Sequence, residues 1–148
     1  MLAAAVLVAA TTLSQRLTGE AEELLKIEKR IAAVHGIDAL MYEDVLTLLD
    51  DAIEADSHNL HAHARAGEVL LLKSNQGDGT FDICSVLDAR DEAEYVLSHG
   101  AEPIDQSIAR GVLKAIDAIP PSAIPEPPSS CEGGGEERRQ HGTKTRSS

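Results

Sequence analysis

The sequence predicts an all-α protein, on three observations. No run of β-branched or aromatic residues alternates with a period of two, so strand signals are absent. Apolar residues recur instead at spacings of three and four, which places them on one face of a helix. The turn signals between those stretches are short, and short turns make consecutive helices antiparallel neighbours.

Taken in order, residues 1–17 come first. Leu2 to Ala10 is wholly apolar and Arg16 is the first charged side chain. The segment reads as a packed, Ala-rich helix ending near Leu17, or else as a targeting segment, although the basic stretch that precedes a secretory signal is missing. Residues 18–119 form the helical domain. Thr18 is expected to cap a helix through about Val34, with Glu20, Glu22 and Glu23 in its first turn, where the helix dipole favours acids. Leu24, Ile27, Ile31 and Val34 line one face, Glu22 and Lys26 make an i,i+4 pair on another, and Gly36 suits the position just past the end. Asp38 can cap a second helix to about Ala55, carrying Tyr42, Val45, Leu46, Leu49, Ala52 and Ile53 as its apolar stripe.

Asp56-Ser57-His58-Asn59 is a turn cluster. A third helix runs from about Leu60 to Lys73 with Ala62, Ala66, Val69 and Leu70. Residues 74–80 have loop chemistry, two glycines among polar neighbours. They do not make a calcium loop, because aligning Gly79 with the invariant glycine puts Ser85 where a Glu ligand is needed. A fourth helix spans roughly Val86 to Ser98, closed by His99-Gly100. Pro103 opens a fifth through about Ile119, with Ile104, Ile108, Val112, Leu113 and Ile116 apolar. Pro120 and Pro121 stop it. Residues 120–148 hold five of the six prolines, the Gly133-Gly134-Gly135 run and almost nothing apolar, and they are expected to be disordered.

Composition narrows the function classes. The net charge of -12 repels a phosphate backbone, and Phe81, Tyr42 and Tyr95 are too few for base stacking, so no nucleic-acid partner is expected. No apolar run approaches the roughly 20 residues of a spanning helix, so no membrane partner is expected unless residues 2–13 anchor the chain. Cys84 and Cys131 do not make a disulfide framework, and Cys84 reads as a small apolar packer; a reducing compartment fits. His58, His61 and His63 cluster, but His61 and His63 diverge by about 200° around a helix, so no metal site is expected. His63 is expected in the core or an interface and His58 in the turn. No nucleophile elbow, phosphate loop or dinucleotide fingerprint is present, and neither an enzyme nor a cofactor is expected.

Within this pattern, Tyr42 through Asp56, the turn at Ser57-His58-Asn59, and Ala62 through Gly67-Glu68 resemble the tetratricopeptide repeat, as the end of one repeat and the first helix of the next. Val45, Leu49, Ala52 and Ile53 match the second-helix pattern, Gly67 the first-helix glycine, and Leu70 the bulky position after it; Gly111 is placed as the next repeat's glycine. Ser57 stands where the family has its turn proline, His63 where it has an aromatic and Ala66 where it has Leu. Gly67 to Gly111 is ten residues longer than the period of about 34, a surplus that residues 74–83 account for. The resemblance implies a short solenoid of about two and a half repeats, and with it a non-catalytic interaction or scaffold module. Its groove would take a peptide segment of another protein, and the acidity of the chain favours a basic one. The groove residues it implies are His61, Ala64, Arg65, Glu68 and Leu71, with Arg110 and Lys114 from the last helix. So short an array also implies a homo-oligomer as a further way of covering apolar surface. The alternative is a structural helical bundle, as a subunit or a membrane-tethered accessory, with no groove.

Overall fold

The computed structural model describes residues 2–36, 41–125 and 131. Five helices follow one another: α1 Leu2–His35, α2 Glu43–Ala55, α3 Leu60–Ser74, α4 Ile83–Ser98 and α5 Pro103–Asp117, then a short 3-10 turn at Pro121–Ala123. The only strand-like pairing among the described residues is a single bridge between Asn75 and Phe81, so the class is all-α. No described helix is long and apolar enough to cross a membrane.

Each helix packs on its chain neighbour, and α3 additionally touches α1 and α5. That makes α3 the central element, and its sequence fits the position. Ala62, Ala64, Ala66, Gly67, Val69 and Leu70 are all buried, and most are small. Small side chains let neighbouring axes come close. The closest approach is at Gly67. A Cβ built there would sit 3.3 Å from the Ala89 carbonyl oxygen and 3.4 Å from Glu92 Cβ, both on α4. Opposing residues on α4 are correspondingly small, with Ala89 and Ala93 fully buried. Val45, Leu46, Leu49 and Ala52 of α2 and Ala109, Val112 and Ile116 of α5 complete the core.

The first helix departs from expectation. It is a single 34-residue helix, with no break at Leu17 and no cap at Thr18. Thr18 Oγ1 donates instead to the Ser14 carbonyl one turn back, at 2.8 Å. The buried face is also different. Ser14, Thr18, Ala21 and Leu25 are buried, whereas Ile27, Ile31 and Val34 are exposed. This seam is held by polar groups: Ser14 Oγ donates to the Ala52 carbonyl at 2.6 Å, and Asn59 Nδ2 donates to Ser14 Oγ at 2.8 Å and Thr18 Oγ1 at 3.0 Å. Asn59 Oδ1 accepts from the Ala62 N–H and so caps α3 while its amide ties that cap to α1. Gly36, as expected, takes the left-handed conformation just past α1, at φ +84°. The expected cap at Asp38 lies outside the described residues. Described helix α2 begins at Glu43, preceded by a buried Tyr42 at φ +73°, a conformation unusual for so bulky a side chain.

Two findings bear on the cysteines and on the segment that follows α5. Cys84, on the first turn of α4, is disulfide-bonded to Cys131, so it is not a packed free thiol and the pair does constrain the chain. A disulfide also argues against a reducing compartment. The segment after α5 is ordered at its start: Pro121–Ala123 forms a turn, and the Ala123 carbonyl accepts from the Phe81 N–H at 2.9 Å. Of the segment 120–148 expected to be disordered, residues 120–125 are described and carry this turn and hydrogen bond. Residues 126–130 and 132–148 lie outside the described residues. In the loop 75–81, Gly77 and Gly79 both take positive φ, which lets the chain reverse within a few residues.

Candidate functional site

The side of the molecule shared by α1, α3 and α5 carries a chain of charged side chains. Its centre is His61, in the first turns of α3. Nδ1 of His61 faces Asp105 Oδ1 of α5 at 2.5 Å, and Nε2 faces Glu22 Oε1 of α1 at 3.0 Å. Both partners can only accept, so the two bonds form together when both ring nitrogens carry protons. Asp105 is buried, at 5% exposure, and this bond satisfies it. One turn further along α3, Arg65 Nε donates to the same Glu22 oxygen at 2.8 Å, and its Nη1 donates to Glu68 Oε2 at 2.8 Å. Lys29 of α1 closes the chain with a 2.5 Å bond to Glu68 Oε1. Five residues of α1 and α3 and one of α5 are thus knitted together.

The charges tune one another. Burial pushes the Glu22 carboxyl up, but the bonds from His61 and Arg65 more than offset it and hold the group below the ordinary range. Burial likewise acts upward on Glu68, and the bonds from Lys29 and Arg65 again win. For Arg65, burial acts to lower its affinity for the proton, and the two glutamates reverse that. All three groups stay charged at neutral pH.

Beside this chain lies an open cleft of about 290 Å³ between α3 and α5. Arg65 and Glu68 are its charged lining residues. Leu71 and Leu72 of α3 and Ile108 and Val112 of α5 supply the apolar lining, with Ser107 and Gly111 at the edge. A Cβ at Gly111 would meet nothing within 4 Å. Gly111 is thus an open position at the cleft, not a point of close helix approach, and the expectation of a second packing glycine fails there.

Of the residues expected in a groove, Arg65, Glu68 and Leu71 come together in this cleft and His61 lies one turn away in the charged chain. Ala64 is fully buried, so it belongs to the core and not to a groove surface. Arg110 and Lys114 are exposed on α5 outside the cleft; Arg110 donates to Gln106 one turn back, at 3.2 Å. Glu22 pairs across to α3, and Lys26 bonds Glu23 instead, which corrects the expected Glu22–Lys26 pair. His63 is buried, with Nδ1 2.6 Å from Glu92 of α4 and Nε2 facing the Ser57 carbonyl, while His58 is exposed in the turn. The two rings of His61 and His63 therefore face opposite sides, as their spacing requires. Among the described residues, no group of three or more His, Cys, Asp or Glu is arranged to hold a metal ion.

Glu22, Lys29 and Asp105 were not singled out from the sequence as site residues. Only the knowledge that α1, α3 and α5 share a side would have paired them. Compared with models of known families, with curated proteins and with solved structures, the chain matches none.

Proposed function

We propose that the chain is a short tetratricopeptide-like array that binds a peptide segment of another protein, without catalysis, in the cleft between α3 and α5. The observation that carries this reading is the cleft itself, lined by apolar Leu71, Leu72, Ile108 and Val112 together with the paired Arg65 and Glu68. An extended or helical peptide would lay apolar side chains on the apolar lining and present a polar group to that pair. The close packing at Gly67 and the contact of α3 with both α1 and α5 support the comparison with the repeat. The overall charge of -12 would steer a basic segment toward the protein.

The open position at Gly111 supplies the test. Gly111→Phe fills the cleft from a residue whose Cβ has free space, so the fold is retained. Peptides selected from a display library on the full chain are expected to bind saturably and to lose at least tenfold in affinity to Gly111→Phe at an unchanged melting temperature. Failure to recover any saturable binder, or binders indifferent to this change, would contradict the reading. One observation favours a second reading, a structural bundle subunit: His61, Arg65 and Glu68 already have partners within the chain. That reading predicts no selectable peptide at all.

A further inference from the structure

Seven of the nine exposed large apolar side chains among the described residues lie on α1. Val6, Leu7, Val8 and Leu13 are exposed toward one end, and Ile27, Ile31 and Val34 toward the other. These two patches belong to one pattern. Ala3, Val6, Ala10, Leu13, Leu17, Glu20, Leu24, Ile27, Ile31 and Val34 follow one another at alternating spacings of three and four, with Glu20 the one polar member. This is a heptad seam, a and d positions sustained over five heptads, along a helix unbroken from Leu2 to His35. The seam runs beside the fully buried face of Ser14, Thr18, Ala21 and Leu25; its middle members Leu17 and Leu24 are half-buried against the core, and its two ends are exposed.

We propose that this seam pairs with the same seam of a second copy, antiparallel, to form a two-fold dimer. A two-fold contact uses one patch twice, so the pattern must complement itself. Run antiparallel, it does. Ala3 comes opposite Val34, Val6 opposite Ile31, Ala10 opposite Ile27, and Leu13 opposite Leu24. Ala3 and Ala10 thus meet larger residues, each exposed end covers the other, and at the centre Leu17 comes opposite Glu20. Run parallel, Ala3 and Ala10 would face their own copies, leaving voids, and Glu20 would face Glu20 within the seam.

Charge agrees with the antiparallel register. Arg16 and Glu23 flank the seam at equivalent heptad positions, so Arg16 of one copy comes opposite Glu23 of the other, and the reverse pair forms by symmetry. Both side chains are mostly exposed, at 68% and 73%. Arg16 also reaches Glu20 of its own helix at 3.6 Å, so the one acid in the seam carries a counter-charge. A single polar residue in an apolar seam is a register device in such pairs.

Sedimentation equilibrium of the full chain at micromolar concentration is expected to give twice the 15.7 kDa chain mass. Ile27→Glu with Ile31→Glu, both at exposed positions, should weaken association at least tenfold while circular dichroism and melting of the monomer persist. Arg16→Glu should weaken it less, and Arg16→Glu combined with Glu23→Arg should restore it. Single variants Val6→Cys and Ile31→Cys should cross-link to each other when mixed and not to themselves. A monomer at all concentrations overturns the proposal, as does a dimer indifferent to the Ile27 and Ile31 changes. Self-cross-linking of either single variant would show a parallel pair and overturn the register. Flotation of a monomer with phosphatidylcholine vesicles, lost in the same double variant, would put lipid on the seam instead and overturn the proposal too.

Discussion

Two glycines on neighbouring helices give the account its sharpest contrast. At Gly67 the space for a side chain is already taken: a Cβ would lie 3.3 Å from the Ala89 carbonyl oxygen, 3.4 Å from Glu92 Cβ and 3.6 Å from the Ala93 nitrogen. Alanine there requires α4 to give by a few tenths of an ångström. The gain in helix propensity, about 1 kcal/mol, roughly cancels that cost, so Gly67→Ala should be near neutral. Gly67→Leu adds three more carbons between backbones that cannot separate without opening the core, and overpacking of this kind costs roughly 1–3 kcal/mol or more. For a chain of this size the melting temperature should fall by roughly 2–12 °C. At Gly111 nothing lies within 4 Å, so Gly111→Ala keeps the propensity gain and should raise the melting temperature by roughly 2–5 °C. Thermal unfolding followed by circular dichroism reads both. If Gly67→Leu melts where the wild type does, the close α3–α4 approach is wrong. If Gly111→Ala destabilises, that position is not open.

Stability should fall in acid. Glu22 and Glu68 have folded-state pKa values below the ordinary range, so their contribution is fully present above about pH 4.3 and is lost as pH falls through the lower folded values. Urea midpoints measured between pH 6 and pH 3 should drop more steeply for the wild type than for Glu22→Gln with Glu68→Gln; parallel profiles would count against the charged chain. Reducing the Cys84–Cys131 bond, or Cys131→Ser, should cost about 2–4 kcal/mol in urea unfolding, and an unchanged midpoint under reductant would mean that residue 131 is not tied to α4. Truncation after Ile119 should be destabilising as well, since it removes both that bond and the Phe81–Ala123 hydrogen bond.

The helices from α2 onward were legible because their signals are local. The apolar stripe of Val45, Leu46, Leu49 and Ala52 is the buried face of α2, Asn59 lies at the end of the turn cluster, and Pro103 opens α5. α1 was misread because its buried seam is small and polar. Ser14 and Thr18 are buried by hydrogen bonds to Ala52 and Asn59, which periodicity of apolar residues does not register, while the conspicuous Ile27, Ile31 and Val34 are exposed. Thr18 looked like a cap because its hydroxyl can serve either an N-terminus or the carbonyl one turn back, and here it does the latter. The disulfide was hidden by 47 residues of separation and by the prolines and glycines around Cys131. At the site, Arg65, Glu68 and Leu71 were recoverable because one helix carries them. Glu22 and Asp105 were not, since their nearness depends on how three helices are stacked.

That stacking is the central claim, and Glu22, His61 and Asp105 report on it from α1, α3 and α5. The direct measurement is a pair of double-mutant cycles sharing His61→Ala, one with Glu22→Ala and one with Asp105→Ala, read by urea unfolding at pH 6. The account predicts coupling of about 0.5–3 kcal/mol in both cycles, because both carboxylates bond the same ring. Additive effects in both would mean that the three helices do not meet at His61.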